Sequence, residues 1–281
     1  MIKAFACSTG SFPSITPLAV RVAVLRLLGF TAIDVLVTDL GEPSTGLVFS
    51  DGRAGDELRA LCEREGMSVS DVFLVPGSGF EELAANHPQV SAREAFSDLF
   101  ECTLRFAKTL ESPGVTILPG LEWAGEERAQ SLARAQSELV RHVANAHGSG
   151  LELSVEPHRW SLVDSPPAVV ELLDGVPGLK LTLDYSHFVY QGIAQDSIEP
   201  LLAHSRHLHV RGAREGRMHT TLERNAIDFE RIIEVLGQIG YAGYVALEYE
   251  PVRVDRDDVD PYDVVSETLR LRDLLANVVR R

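Results

Sequence analysis

The feature that most constrains this chain is an alternation that never lapses: short apolar or β-branched runs take turns with longer amphipathic stretches from one end to the other. Eight such pairs can be counted. The runs predict strands over 2–8, 32–37, 69–75, 115–119, 151–156, 179–184, 207–210 and 244–249. The stretches predict helices over 17–28, 56–65, 92–110, 126–146, 167–173, 198–205, 228–239 and 261–279. Runs this short and apolar suit strands covered on both faces, and regular strand–helix alternation builds a parallel sheet. Eight units in 281 residues fit a single (β/α)₈ TIM-barrel domain over 1–281 better than an open doubly wound sheet. The open sheet wants a glycine-rich phosphate turn after its first strand, but here that turn reads Ser8-Thr9-Gly10-Ser11-Phe12 and supports no dinucleotide site.

Helix ends carry chemical punctuation. Ser91 is placed to cap the third helix and Asp228 to open the seventh, while Gly29 and Gly240 stand where left-handed C-terminal residues are wanted. The segments 51–55 and 77–90 read as loops, and Asp255-Arg256-Asp257-Asp258 as a short acidic surface loop.

Charge narrows the partners. With 26 Lys+Arg against 41 Asp+Glu the net charge is −15, which disfavours nucleic acid and anionic membrane surfaces. No window approaches the ~18 uncharged apolar residues of a membrane span, and the apolar stretch of Met1-Ile2-Lys3-Ala4-Phe5-Ala6-Cys7 is too short for a signal peptide. Cys7, Cys62 and Cys102 are odd in number and far apart, so neither a disulfide framework nor a Cys-x-x-Cys clasp can be drawn, and a reducing cytoplasm fits. Exposed helix faces or the two loops are compatible with a homo-oligomer.

In a TIM barrel the functional side chains belong at the C-terminal ends of the strands. The last four strands each deliver a candidate there: Glu156, Asp184, His209 and Glu248, spaced 28, 25 and 39 residues apart. Three carboxylates converging in one mouth repel one another and take up protons unless a cation neutralises them. Three oxygen donors with one imidazole suit a single divalent ion, Mn²⁺, Mg²⁺ or Co²⁺ before Zn²⁺. Other polar residues have plainer readings. Glu152 is a solvated strand-entry charge and Glu250 a rim residue; His207 is structural, packed in the barrel or bonded to backbone, the alternative being that it is the ligand in place of His209; His204 and His219 lie on the surface; His87, in a turn, does no chemistry.

Five motifs carry a resemblance: Glu156-Pro157-His158, Asp184-Tyr185-Ser186-His187, His207-Leu208-His209-Val210-Arg211, Ile227-Asp228-Phe229, and Gly240-Tyr241-Ala242-Gly243-Tyr244 ahead of Leu247-Glu248. In this order they resemble the sugar phosphate isomerase/epimerase family of xylose isomerase-like barrels. The resemblance implies that Glu156, Asp184, His209 and Glu248 hold the metal and that Glu156 and Glu248 also act as catalytic acid and base. It further implies that His158, His187 and Arg211 contact a small carbohydrate substrate. The chain departs from relatives in having Glu223-Arg224-Asn225 where a Gly-x-Gly often precedes Ile-Asp-Phe. The phosphodiesterase branch of the superfamily needs extra histidines on earlier strands, and Val75-Pro76-Gly77 and Leu118-Pro119-Gly120 offer none.

The expected activity is isomerisation or epimerisation of a keto-sugar, polyol or sugar-derived acid through an enediolate, with a glutamate moving the proton. A dehydratase of the inosose-dehydratase type would use the same site, and a non-catalytic sugar-binding barrel would keep the fold without the reaction.

Overall fold

A computed structural model describes residues 2–50, 52–77, 79–251 and 258–280. Eight parallel strands close into a barrel in chain order, β8 pairing with β1. They are β1 Phe5–Ser8, β2 Ala32–Thr38, β3 Ser68–Val75, β4 Gly114–Ile117, β5 Glu152–Val155, β6 Lys180–Asp184, β7 Ser205–Val210 and β8 Val245–Leu247. The helices are α1 Leu18–Leu27, α2 Thr45–Ser50, α3 Arg53–Glu65, α4 Val90–Thr109, α5 Arg128–Gly148, α6 Pro166–Asp174, α7 Ser186–Val189, α8 Gln195–Ile198, α9 Phe229–Gln238 and α10 Val264–Val279. None of them is long and apolar enough to cross a membrane.

The helices turn stripes at helical spacing toward the sheet: Val22 and Leu25 of α1, Leu132, Ala135, Leu139 and Val143 of α5, Ile232 and Leu236 of α9. These pack on the outward side chains of the strands, such as Ile33, Val35 and Val37 of β2, and this annulus is the hydrophobic core. Asp228 caps α9 as expected, accepting from the backbone N–H of Arg231, and Gly29 and Gly240 take positive φ just past α1 and α9.

Several expectations are corrected. Helix α4 begins before Ser91, which lies inside its first turn and caps nothing. The segment expected as a loop at 51–55 runs into α3, whose first turn starts at Arg53. The sixth helical stretch is α8 followed by a 3₁₀ helix, Glu199–His204, because a proline sits at the second position of that turn. His219 is buried rather than on the surface. The acidic loop at 255–258 falls outside the described residues except for Asp258.

The barrel interior is unusual for this architecture, which commonly fills with layers of branched aliphatic residues. Here Ala6, Ala32 and Ala246 form a small cluster of their own with Tyr244. The interior also holds a polar layer: Asp71, Thr116, Ser154, Thr182 and Arg206. Arg206 donates from Nη2 to Asp71 Oδ1 at 2.9 Å and Ser154 Oγ at 2.6 Å, and the Thr182 hydroxyl lies 2.6 Å from Thr116 and 2.8 Å from Ser154. Gly114, opening β4, makes room for that arginine: a Cβ there would lie 2.8 Å from Arg206 Cζ and would also meet the Glu152 carbonyl.

Two breaks in register produce this layer. Ile33 pairs with Val69 but Asp34 with Asp71, so Ser70 is an extra residue in β3. Leu181 pairs with Ser205 but Thr182 with His207, so Arg206 is an extra residue in β7. Bulges of this kind re-aim side chains beside functional sites. The one in β7 lets Arg206 and His207, neighbours in sequence, both make their contacts inside the barrel.

Candidate metal centre and active site

The strands stop where the polar side chains begin. Glu156 follows the last paired residue of β5, Asp184 ends β6, His209 is the penultimate residue of β7 with Arg211 just beyond, and Glu248 follows β8. Backbone pairing continues past the strand ends, with the Glu156 N–H on the Ile117 carbonyl and the Glu248 N–H on that of Val210. Four adjacent strands thus point their C-terminal ends at one buried spot.

His209 stands at its middle. Its Nδ1 lies 2.6 Å from Glu156 Oε1 and 3.2 Å from Glu248 Oε2. Asp184 is drawn in from the other side: His187 Nε2 is 3.8 Å from both Glu156 Oε2 and Asp184 Oδ2. Ligand atoms of Glu156, His209 and Glu248 lie within 4.8 Å of one another, as do those of Glu156, Asp184 and His187. The four residues expected to share a metal thus fall into two overlapping sets joined at Glu156, with His187 as a further donor beside Asp184.

Arg211 is set more deeply than a rim residue. Its Nη2 approaches Asp184 Oδ2 to 2.6 Å, its Nη1 approaches Glu248 Oε2 to 2.9 Å, and its Nε donates to Ser186 Oγ. His158 lies against His187, ring centroids 4.0 Å apart, with its Nδ1 engaged by the Arg159 carbonyl. Glu156, His158, His187, Arg211 and Glu248 all line a cavity of about 200 Å³ that Phe80 and Leu118 help wall. Glu250 also borders it and stays half exposed, on the rim as expected. Glu152 is exposed at the opposite end of β5.

Burial sets the protonation of this cluster. It raises the Glu156 carboxyl to about 7, opposed by the His209 charge and helped by Glu248 and Asp184. It raises Asp184 as well, against the pull of Arg211. Glu248 goes the other way: burial would lift it, but the charges of His209 and Arg211 outweigh that and hold it low. The two glutamates are thus driven apart, the pattern that separates an acid from a base in one site. His209 is lifted well above its ordinary value because Glu248 and Glu156 overcome its desolvation. Desolvation lowers His158 to about 3, and lowers His187 with help from His158 and Arg211, so both rings are neutral.

The donor set fits a divalent ion. Three carboxylates and an imidazole, all buried, are the ligand chemistry of Mn²⁺, Mg²⁺ or Co²⁺. Arg211 and a protonated His209 supply positive charge to the same group, and Asp184 Oδ2 meets Arg211 without a properly directed hydrogen bond.

Two charged residues beside the site were not anticipated. Asp34 of β2 is buried and lies 2.5 Å from His207 Nε2 and 3.6 Å from His209 Nε2. His207 is thus structural as expected, but its partner is a carboxylate rather than backbone. The other is Arg159, its guanidinium between the Trp160 and Tyr190 rings at 3.8 and 4.1 Å and ion-paired with Asp258. The sequence does hold a signal for the first: Asp34 is the lone charge in the run Ala32–Thr38.

Fold and site together define a TIM barrel with an oxygen-rich, metal-competent centre at the carboxyl ends of its later strands. The chain belongs to the xylose isomerase-like TIM barrel family, whose sequence model matches residues 22–272. It is 22% identical over 256 residues to a Homo sapiens protein provisionally named a hydroxypyruvate isomerase, covering 85% of this chain and 86% of that one. Its fold is similar to that of D-psicose 3-epimerase from Clostridium cellulolyticum H10, solved with D-tagatose: TM-score 0.77, 18% identity, 98% of this chain and 99% of that one. It is also similar to a xylose isomerase-like TIM barrel protein from Mycobacterium smegmatis solved in complex with magnesium: TM-score 0.73, 16% identity, 98% and 96% coverage.

Proposed function

We propose that the protein is a divalent-metal-dependent isomerase or epimerase of a small keto-sugar, polyol or sugar-derived acid. The observation that carries this reading is the convergence of Glu156, Asp184, His209 and Glu248 from four adjacent strands on one buried spot beside a cavity. A D-psicose 3-epimerase and a magnesium-bound protein among the similar folds support the substrate class and the ion.

Glu156, Asp184, His209 and Glu248 would hold the ion. When bound, it supplies charge that polarises a substrate carbonyl and acidifies the neighbouring C–H. The chain's own groups do the rest. Glu156 and Glu248 enter from β5 and β8, three strands apart, so that one removes the carbon-bound proton and the other returns a proton to the enediolate. His187 and His158, both neutral, offer ring nitrogens to substrate oxygens. Arg211 provides a fixed positive charge facing the cavity, suited to a carboxylate or to an oxygen that gains charge. The cavity, smaller than the roughly 300 Å³ at which pockets for drug-sized ligands begin, suits a small polyol.

The test is proton exchange. Mn²⁺-loaded protein is incubated in D₂O with a panel of ketoses and inososes, and recovered sugars are examined by mass spectrometry and proton NMR. Deuterium on carbon without loss of water, abolished in Glu156→Gln, is the expected result. Loss of water would assign the dehydratase reaction. Absence of exchange across the panel with metal bound would favour a sugar-binding barrel, and exchange retained in Glu156→Gln would remove that residue as the base.

A further inference from the structure

His209 has two ring nitrogens, and the metal centre described above uses only one. Nδ1 faces Glu156 and Glu248. Nε2 is buried, has no hydrogen-bond partner, and is set 3.6 Å from Asp34 Oδ2. An imidazole that gives its Nδ1 lone pair to a metal must carry its proton on Nε2. Left without an acceptor, such a buried N–H carries an uncompensated desolvation cost.

Asp34 is built to be that acceptor. It sits on β2, across the barrel from β7, and is 1% exposed. His207 Nε2 holds its Oδ2 at 2.5 Å, and Ser70 Oγ reaches the same oxygen at 3.4 Å. Ser70 is the extra residue of the β3 bulge and donates its hydroxyl to the Ile33 carbonyl at 2.9 Å, so His207 is the support that holds the carboxylate. The His207 and His209 rings stand edge to face, 5.2 Å apart, which fixes the plane against which His209 can tilt. A small tilt of His209 shortens 3.6 Å to a hydrogen bond once Nδ1 is given to a metal rather than to Glu156. Carboxylates behind a metal-bound imidazole fix its tautomer and orientation, and their loss typically costs 10–100-fold in metal affinity.

We infer that Asp34 is a positioning residue of the metal centre, acting through His209 and steadied by His207; the inference rests on the metal-dependent reading above. A competing arrangement, in which Asp34, His207 and His209 clasp a second ion, would take up two ions per chain rather than one.

The experiment is Mn²⁺ titration of the wild type, Asp34→Asn and Asp71→Asn, each checked by thermal unfolding. Asp71 is an equally buried carboxylate of the same barrel, paired opposite Asp34 but bonded to Thr116 and Arg206 rather than to His207 or His209. If Asp71→Asn fails to fold, Thr116→Val replaces it. One ion per wild-type chain, affinity lowered about 10–100-fold in Asp34→Asn and unchanged in the control, is the expected pattern. A second readout needs no variant: ¹⁵N NMR of the Mg²⁺-loaded wild type should show a slowly exchanging His209 Nε2–H shifted far downfield. Equal affinities in all three proteins, equal loss in both variants, or a His209 protonated on neither nitrogen when loaded would overturn the inference. So would two ions per chain, one lost with Asp34. A wild type that binds no Mn²⁺ would instead sink the functional reading itself.

Discussion

Arg211 Nη2 lies 2.6 Å from Asp184 Oδ2 while its Nη1 lies 2.9 Å from Glu248 Oε2, so one buried guanidinium is shared by two carboxylates of the candidate metal centre. Its charge does part of what an ion would do there. Removing it leaves Asp184 and Glu248 facing each other inside the protein, and an uncompensated buried charge costs about 3–5 kcal/mol. We expect Arg211→Gln to lower the Tm of the metal-free protein by roughly 10 °C, given about 2–4 °C per kcal/mol for a chain of this order of size. Mn²⁺ should restore more of that loss than it adds to the wild type. Differential scanning calorimetry with and without Mn²⁺ checks both; equal metal-induced shifts in the two proteins would contradict the shared role.

The Arg206–Asp71 pair sits in the barrel interior with 6% and 0% of its side chains exposed. Burial raises Asp71 against the opposing charge of Arg206, so each partner depends on the other. Arg206→Met should destabilise by about 3–5 kcal/mol in urea unfolding, and adding Asp71→Leu should recover most of it. Gly114→Ala should also destabilise, by about 1–3 kcal/mol, because the added methyl meets the same arginine and the Glu152 carbonyl.

The fold and most of the candidate centre were legible because they rest on period and position. The eight apolar runs marked eight strands, and Glu156, Asp184, His209 and Glu248 were legible as polar residues ending apolar runs. What escaped the reading depends on register. Strict alternation places Arg206 and His207 on opposite faces, yet the bulge in β7 brings both to interior partners. Asp34 and Asp71 sit inside apolar runs, where a single charge reads as noise until the opposite strands are known to bring His207 and Arg206 to them. His219 looked like a surface residue because its burial comes from contacts with Tyr262 and Glu250, far along the chain.

His142 of α5 gives the stability a pH signature. Its ring packs against Phe96 and Phe100 with neither nitrogen hydrogen-bonded, and desolvation lowers it from 6.5 to about 4, the Arg141 charge adding to the shift. The folded protein therefore resists a proton that the unfolded chain accepts. This contribution is complete above pH 6.5, is lost progressively as pH falls from there to about 4, and amounts to about 3 kcal/mol. His142→Leu should flatten that part of the curve, so the variant gains on the wild type between pH 6.5 and 4. Urea midpoints at pH 7.5, 5.5 and 4.5 decide it; parallel curves for the two proteins would remove His142 as the cause.

The central claim is that the ends of β5, β6, β7 and β8 form one divalent-metal site. The most direct measurement is Mn²⁺ binding followed by the loss of the free-ion electron paramagnetic resonance signal, on the wild type and on Glu156→Gln, Asp184→Asn, His209→Gln and Glu248→Gln. We expect one ion per wild-type chain and weakened binding in each of the four variants while the fold is kept. No uptake by the wild type, or uptake indifferent to all four substitutions, would contradict it.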